Sequence, residues 1–173
     1  MADRPLMTAL FPDRASAEQG YTALTDRGYS KDDVNLAMSD DTRKAHFTSD
    51  GAETELGNKA AEGAGVGGAI GGTIGAIAAA VAAVGTSIAI PGLGLVIAGP
   101  LAAAIAGAGA GAATGGLVGA LVGWNIPEEH VKRYEAGIKE GGILVGVRPR
   151  NDEDADYLHN SWTAGRAQDV YRP

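Results

Sequence analysis

The fold of this chain depends on two uncharged stretches, GAGVGGAIGGTIGAIAAAVAAV (63–84) and LAAAIAGAGAGAATGGLVGALVG (101–123). Both lie within 65 consecutive residues, 63–127, that contain no Asp, Glu, Lys or Arg, and 37 of these residues are Gly or Ala. An apolar surface of this extent is rarely left in water, so it must be buried in lipid, in a partner or in copies of itself. The sequence therefore predicts a Gly/Ala-rich apolar hairpin of two helices over 58–125.

Each of the two predicted helices places small residues in a row. In the first helix, six large residues form one stripe at 3.6 residues per turn, and four glycines spaced by four lie beside them. The stripe consists of Val66, Ile70, Ile74, Ile77, Val81 and Val84, and the row of Gly63, Gly67, Gly71 and Gly75. The second helix carries Gly107, Gly111, Gly115, Gly119 and Gly123 at the same spacing. Such rows let helix backbones approach closely, so we predict that these nine glycines pack helices in a homo-oligomer.

The length and the apolarity of the hairpin favour a membrane. About 20 apolar residues span the hydrocarbon core of a bilayer. Each helix has six Val, Ile or Leu residues, worth roughly 2 to 3.6 kcal/mol, so a single helix inserts only marginally and a packed hairpin inserts better. Trp124 lies where the apolar segment meets the charged flank, and we interpret it as a membrane-interface anchor or as a packed residue of the flanking domain. A self-associating soluble assembly and a flexible low-complexity segment are the alternatives.

The piece between the two predicted helices has a different character. Residues 87–99 are rich in Gly and Pro, and 88–90 and 93–97 are strand-like. We expect this piece to be re-entrant or to lie at a membrane interface, since its backbone groups need partners. Pro100 suits the first turn of the second helix.

The first flank reads as strand, helix, strand. An apolar run over 6–11 predicts a strand, Asp13 can cap the helix that follows, and Gly28 ends that helix. Alternation of large and small or polar residues over 34–38 predicts a strand with one buried face. The polar residues 39–57 predict a linker.

The second flank supplies the complementary elements. Pro127 suits the first position of a helix that ends at 141–142. The continuous apolar run 143–147 predicts a central strand covered on both faces. A third helix over 152–162 and a short edge strand over 169–172 follow. Neither flank has enough elements to close a core alone, so we predict one α+β domain that is split by the hairpin.

Several sequence features together resemble the bacterial general stress protein (heat-induced stress protein) family. They are Phe11-Pro12-Asp13, Gly28-Tyr29, NKAAEGAG (58–65), PGLG (91–94), IPEE (126–129), YEAG (134–137) and GGILV (141–145). The resemblance covers nearly the whole chain. It implies a ferredoxin-like domain, a split βαβ–αβ(αβ) arrangement interrupted by a glycine-rich insert, and a stress-linked role. The predicted domains are therefore 1–57, the first half with its linker; 58–125, the hairpin; and 126–173, the second half.

Composition excludes several function classes. The net charge is −7 and the pI is about 4.9, which argues against nucleic-acid binding because that function needs a basic surface. The chain has no cysteine, and its three histidines lack the spacing of metal ligands. A G-x-G-x-x-G match at 63–68 follows no predicted strand, so it does not indicate a dinucleotide site. We expect no catalytic residues, no cofactor and no metal.

These observations predict a non-enzymatic, membrane-associated structural protein that assembles through its glycine rows. The alternative is a ligand-binding or sensor domain that uses the hairpin as an anchor or as a soluble oligomerisation element. A two-helix hairpin returns the chain to the side where it entered, and no secretory signal is evident, so the αβ domain and both termini should be cytoplasmic. A cytoplasmic soluble assembly is the alternative localisation. We also expect the hairpin to be modular, so that a short linker in place of 58–125 leaves a folded domain.

Overall fold

A computed structural model describes residues 4–47, 88–90, 94–100, 102, 121 and 126–173, with the backbone alone for 47 and 88–90. The two predicted apolar helices lie outside these residues except at positions 102 and 121. Outside them also lie all nine glycines of the predicted rows, the six residues of the apolar stripe, and Trp124.

The described elements include both strands and helices. In chain order they are β1 (Met7–Phe11), α1 (Arg14–Asp26), a short 3-10 helix (Lys31–Asp33), β2 (Val34–Ser39), α2 (Asp40–Phe47), β3 (Ile88–Ile90), β4 (Leu95–Ala98), α3 (Glu128–Lys139), β5 (Ile143–Val147), α4 (Asp152–Ala164) and β6 (Asp169–Tyr171). The predicted α+β class is confirmed. The strands predicted over 6–11 and 143–147, the edge strand and the three flank helices are all present.

All six strands form one antiparallel sheet in the order β3-β4-β2-β5-β1-β6. β5 comes from the second flank but lies between β1 and β2 of the first, with Val145 opposite both Ala9 and Leu36. The central strand of the sheet is therefore supplied by the half of the chain that follows the apolar segment.

One face of the sheet packs against α1 and α4, and we call it the α1–α4 face. Its centre is Trp162, fully buried, whose ring meets Phe11 edge-on at 6.2 Å and whose Nε1–H donates to the Gly20 carbonyl at 3.0 Å. The hydrogen bond satisfies the indole N–H in an apolar core. Sheet residues Met7, Ala9, Phe11, Val34, Leu36, Met38, Ile143, Val145 and Val147 point into this cluster.

The opposite face packs against α3, and we call it the α3 face. Leu10, Ala37 and Leu144 of the sheet meet Val131, Tyr134 and Ile138 of the helix. Four further buried members come from within the predicted hairpin segment: Leu95, Ile97, Ala102 and Leu121. Residues at both ends of the predicted second apolar helix thus pack against the sheet.

On each face of the sheet, a glycine lets one helix pack closely against β1. A Cβ atom at Gly20 of α1 would overlap the Phe11 ring, and one at Gly137 of α3 would overlap the Leu10 side chain. Leu10 and Phe11 are neighbours in β1 and point to opposite faces, as successive strand residues must. Both helices therefore approach β1 more closely than any residue with a side chain would allow.

Three sequence-based expectations are corrected. β2 is buried on both faces, because α3 and the α3-face cluster cover Ala37, which is 1 % exposed, and Asn35 is 5 % exposed. The predicted linker contains α2, which begins after Ser39, whose Oγ accepts from the Thr42 N–H at 3.0 Å. Pro127 is the N-cap of α3 and not its first helical residue.

The piece between the predicted hairpin helices does form strands, but it belongs to the sheet. β4 pairs with β2 through Leu36↔Ala98 to Ser39↔Leu95, and β3 pairs with β4. Gly99 makes this possible: its φ is 96°, and a Cβ there would overlap the Val34 carbonyl. The backbones of β3 and β4, for which the sequence predicts a re-entrant or interfacial site, are paired in the sheet.

Candidate functional site

A groove of about 560 Å³ runs along the outer side of α1. Successive turns of α1 line the groove along its length. His46, at the end of α2, closes one end of the groove, and Tyr157 of α4 forms one wall. The volume lies in the range typical of small-molecule sites. The α1 residues that line it are Arg14, Ala15, Glu18, Gln19, Thr22, Ala23 and Asp26.

The sequence of α1 accounts for this placement. Asp13 caps the helix by accepting from the Ser16 N–H at 2.8 Å, which fixes where the helix starts. Ala17, Tyr21 and Leu24 then turn toward the sheet, as their spacing predicts. The groove residues recur at spacings of four on the adjoining face.

The groove contains an ion pair whose carboxylate is buried. Glu18 is 4 % exposed, and its Oε1 lies 3.6 Å from Nε of Arg14, one helical turn earlier. Nη1 of Arg14 also donates to the carbonyl oxygen of His46 at 3.1 Å, which ties α1 to the end of α2. The Glu18 carboxylate is removed from water, the Arg14 side chain is partly exposed, and both line the groove, so a polar ligand in the groove can reach them.

The aromatic wall of the groove is held by a second cation. The Arg27 guanidinium lies 4.5 Å from the Tyr157 ring centroid and pairs with Glu153 at 3.1 Å and Asp154 at 3.4 Å. These contacts fix the Tyr157 ring along one side of the groove. The groove therefore offers an aromatic surface, a carboxylate and a guanidinium within one opening.

A separate cluster joins the two flanks beside the groove. The Tyr29 hydroxyl donates to Asp154 at 2.8 Å and accepts from the Arg150 N–H at 2.9 Å, and the Arg150 guanidinium lies 4.1 Å from the Tyr29 ring centroid. Burial raises the pKa of Tyr29, so the hydroxyl stays protonated and keeps donating. Because Gly28 and Tyr29 precede β2 whereas Asp154 opens α4, this cluster holds the second flank against the first.

A third polar cluster lies under α3. The Tyr134 hydroxyl and Thr8 Oγ1 are 2.9 Å apart in the core, and burial raises the pKa of Tyr134. Nearby, Nδ1 of His130 lies 3.1 Å from both carboxylate oxygens of Asp169, which also pairs with Arg133 at 3.2 Å. These contacts attach β6 to α3.

None of these residues was singled out as a site from the sequence. The Arg14 and Glu18 pair has the i, i+4 spacing of a helical ion pair, which was the one signal present. The partners from α2 and α4 could not be anticipated, because they are distant along the chain and the polar composition of 39–57 predicts a linker where α2 lies. The predicted helix-packing glycines and apolar stripe lie outside the described residues.

No group of three or more His, Cys, Asp or Glu residues in the described part of the chain is placed to hold a metal ion. No helix within that part is both long enough and apolar enough to cross a bilayer.

Comparison with known proteins gives no relative. No protein-family model, no curated protein and no solved structure matches this chain.

Proposed function

We propose that this chain is a non-enzymatic, membrane-associated structural protein that assembles with copies of itself through the glycine rows of 58–125. The αβ domain and both termini would then be held on the cytoplasmic side. A stress-linked role is part of the proposal and rests on the family resemblance alone.

The observation that carries the proposal is the uncharged stretch 63–127 together with where its described residues lie. Leu95, Ile97, Ala102 and Leu121 are all buried against one face of one sheet. β3 and β4 belong to the same sheet and lie in the chain between the two apolar stretches, so each stretch is joined at both ends to the domain. The proposed association is therefore one in which each stretch enters the bilayer from the side of the domain and returns to that side, in place of a single two-helix span.

The ferredoxin-like arrangement is also part of the proposal. It is supported by the strand order β2-β5-β1-β6, in which α1 and α4 each connect two strands that flank a third. The strands β3 and β4, together with the helix α3, would be additions to that core.

The test combines fractionation with sizing. The full chain should sediment with membranes and leave them only in detergent, as a particle larger than one chain. Replacing Gly111 and Gly115 by Leu should reduce the particle size, because the side chains would separate facing helices. The matched control replaces Ala108 and Ala112 by Leu, which adds side-chain bulk beside the row at the same spacing. A full chain that stays soluble without detergent would contradict membrane association, and equal particle sizes for the two double variants would contradict packing through the row.

The groove along α1 favours a second function, a ligand-binding or sensor domain. Its aromatic wall and the Arg14–Glu18 ion pair suit a small molecule that carries a ring and a charged group. Aromatic amines and aromatic carboxylates are the probes, and saturation-transfer NMR on the detergent-solubilised full chain is the readout. Binding that is lost in both Glu18→Gln and Tyr157→Ala but kept in Glu135→Gln, on the remote face of α3, would support this function. Binding of no probe, or equal binding by all three variants, would contradict it.

A further inference from the structure

The strand β6 covers the edge of β1. β6 is three residues long and only half-buried, whereas β1, against which it pairs, is buried at every position. The pairing runs Thr8↔Tyr171, Ala9↔Val170 and Leu10↔Asp169, and Gln168 N–H donates to the Leu10 carbonyl at 2.8 Å. Without β6, the edge of β1 would be open to another strand.

The segment that leads into β6 is strained. The Ala167 N–H donates to the Trp162 carbonyl at 3.0 Å, which closes the end of α4 and places Arg166 in the left-handed region with φ of 70°. Glycine normally occupies this position, because a Cβ atom there crowds the backbone. Arg166 is the one described residue other than glycine with a positive φ. Extending the segment would release this strain.

The contacts that hold β6 are largely polar. Asp169 pairs with His130 and Arg133 of α3, and Arg172 pairs with Asp156 of α4. The Tyr171 ring lies 4.9 Å from that of His130. A second copy of the chain offers the same partners in the same geometry, so each of these contacts can form between copies.

From these features we propose that β6 exchanges between two copies of this chain. The segment 165–168 extends, and the β6 of each copy pairs with β1 of the other. Exchange of an identical element keeps the contacts that β6 itself makes. Extension of 165–168 breaks the hydrogen bond between the Ala167 N–H and the Trp162 carbonyl, and it removes the strain at Arg166 that this bond imposes. The proposed interaction surface is thus the edge of β1, and its partner is β6 of a second copy. This exchange uses no residue of the apolar segment and does not depend on the proposed membrane association.

The absence of cysteine in the chain allows a direct test. One full-length chain carries Ala9→Cys and another carries Val170→Cys, and the two are unfolded together, refolded in detergent and oxidised. Residues opposite each other in an antiparallel pair have Cα atoms about 4.5 to 5.5 Å apart, which suits a disulfide. Exchange predicts a disulfide-linked heterodimer at a yield several-fold above that of a control mixture of Ala9→Cys and Ala164→Cys chains, since Ala164 is exposed before the strained segment.

A pair of variants at Arg166 separates strain from charge. Arg166 pairs with Asp13 at 3.7 Å. Arg166→Gly removes this pair and the strain, whereas Arg166→Ala removes the pair alone. We expect a several-fold lower heterodimer yield for Arg166→Gly and no loss for Arg166→Ala. If Ala9→Cys does not refold, Thr8→Cys and Tyr171→Cys, the adjacent register partners, replace the test pair. A heterodimer yield equal to that of the Ala164→Cys control, or equal yields for the two Arg166 variants, would overturn the proposal.

Discussion

The α1–α4 face and the α3 face of the sheet differ in where their covering residues come from. Of the 17 described residues in the α1–α4 cluster, one, Ala98, lies within 58–125. Of the 12 described residues in the α3 cluster, four lie there. The first face is therefore closed almost entirely by the two flanks, whereas the second is completed by the segment that was predicted to be a modular insert.

The two faces also differ in the side chains that fill them. The α1–α4 face holds large aromatic residues, with Phe11, Tyr21, Tyr29 and Trp162 in one cluster. The α3 face is aliphatic apart from Tyr134, whose hydroxyl is paired with Thr8. Substitutions on the first face should thus report on the fold of the flanks, and substitutions on the second should report on the attachment of the segment 88–126.

The largest effect should come from Trp162→Ala. The substitution removes a fully buried indole and leaves the Gly20 carbonyl without its donor. We expect the free energy of unfolding to fall by about 3 to 5 kcal/mol, the usual cost of truncating a buried tryptophan. Urea unfolding followed by far-UV circular dichroism measures it. Tyr157→Ala, on the same helix but half-buried, is the control, and an equal loss in both would contradict the central place of Trp162.

The next largest loss of stability is expected for two buried leucines, one on each face of the sheet. Leu158 and Leu121 are both fully buried, and Leu121 lies against Leu6, Ala37 and Leu144. We expect Leu158→Ala and Leu121→Ala each to lower the free energy of unfolding by about 2 to 5 kcal/mol, because each opens a cavity in a packed cluster. Urea titration of the two variants in parallel decides this. A Leu121→Ala protein as stable as the parent would mean that Leu121 does not help to close the α3 face.

Sequence patterns predicted the elements whose formation depends on residues close together in the chain. The run 143–147 is apolar at every position and is the buried central strand, and the Asp13 cap fixed the start of α1. Burial of Asn35 and Ala37 was not foreseen, because the cover over them comes from residues about 60 to 110 positions away. The groove was missed for the same reason, since α1, α2 and α4 meet only in the folded chain.

A smaller effect is expected at the glycines that seat the helices. Gly20→Ala would force the Phe11 ring to move, and Gly137→Ala would force the Leu10 side chain to move. Overpacking of this kind costs about 1 to 3 kcal/mol. We expect the larger loss for Gly20→Ala, because a rigid ring adjusts less easily than a leucine. Thermal unfolding of the two variants shows which of them loses more stability. Gly94→Ala is a control for an added methyl group, because no atom lies near a Cβ at that position. The φ of 59° at Gly94 adds some strain to this control. Unchanged stability in both helix variants would rule out the close approach.

The smallest effect concerns the cap of α1 and depends on pH. The Ser16 N–H lowers the pKa of Asp13 below its ordinary value of 3.8, so the ionised carboxylate stabilises the folded state. That contribution is complete above the pKa of the unfolded chain and is lost as the pH falls through the lower, folded pKa. At pH 7 we expect Asp13→Ala to cost about 1 kcal/mol. The difference between Asp13→Ala and the parent should shrink below pH 4, as measured by urea unfolding, and a difference independent of pH would contradict the role of the charge.

The most direct measurement of how the α3 face is closed compares two shortened chains. The first replaces 58–86 by a Gly/Ser linker and keeps β3, β4, Ala102 and Leu121, and the second replaces all of 58–125. With Trp124→Phe in the first, Trp162 is the one tryptophan in both, and its fluorescence follows urea unfolding. We predict a single cooperative transition in each, with a free energy of unfolding lower in the second chain by more than Leu121→Ala alone removes. Equal free energies of unfolding in the two chains would contradict the assignment of Leu95, Ile97, Ala102 and Leu121 to the α3 face and would show that the flanks close both faces by themselves.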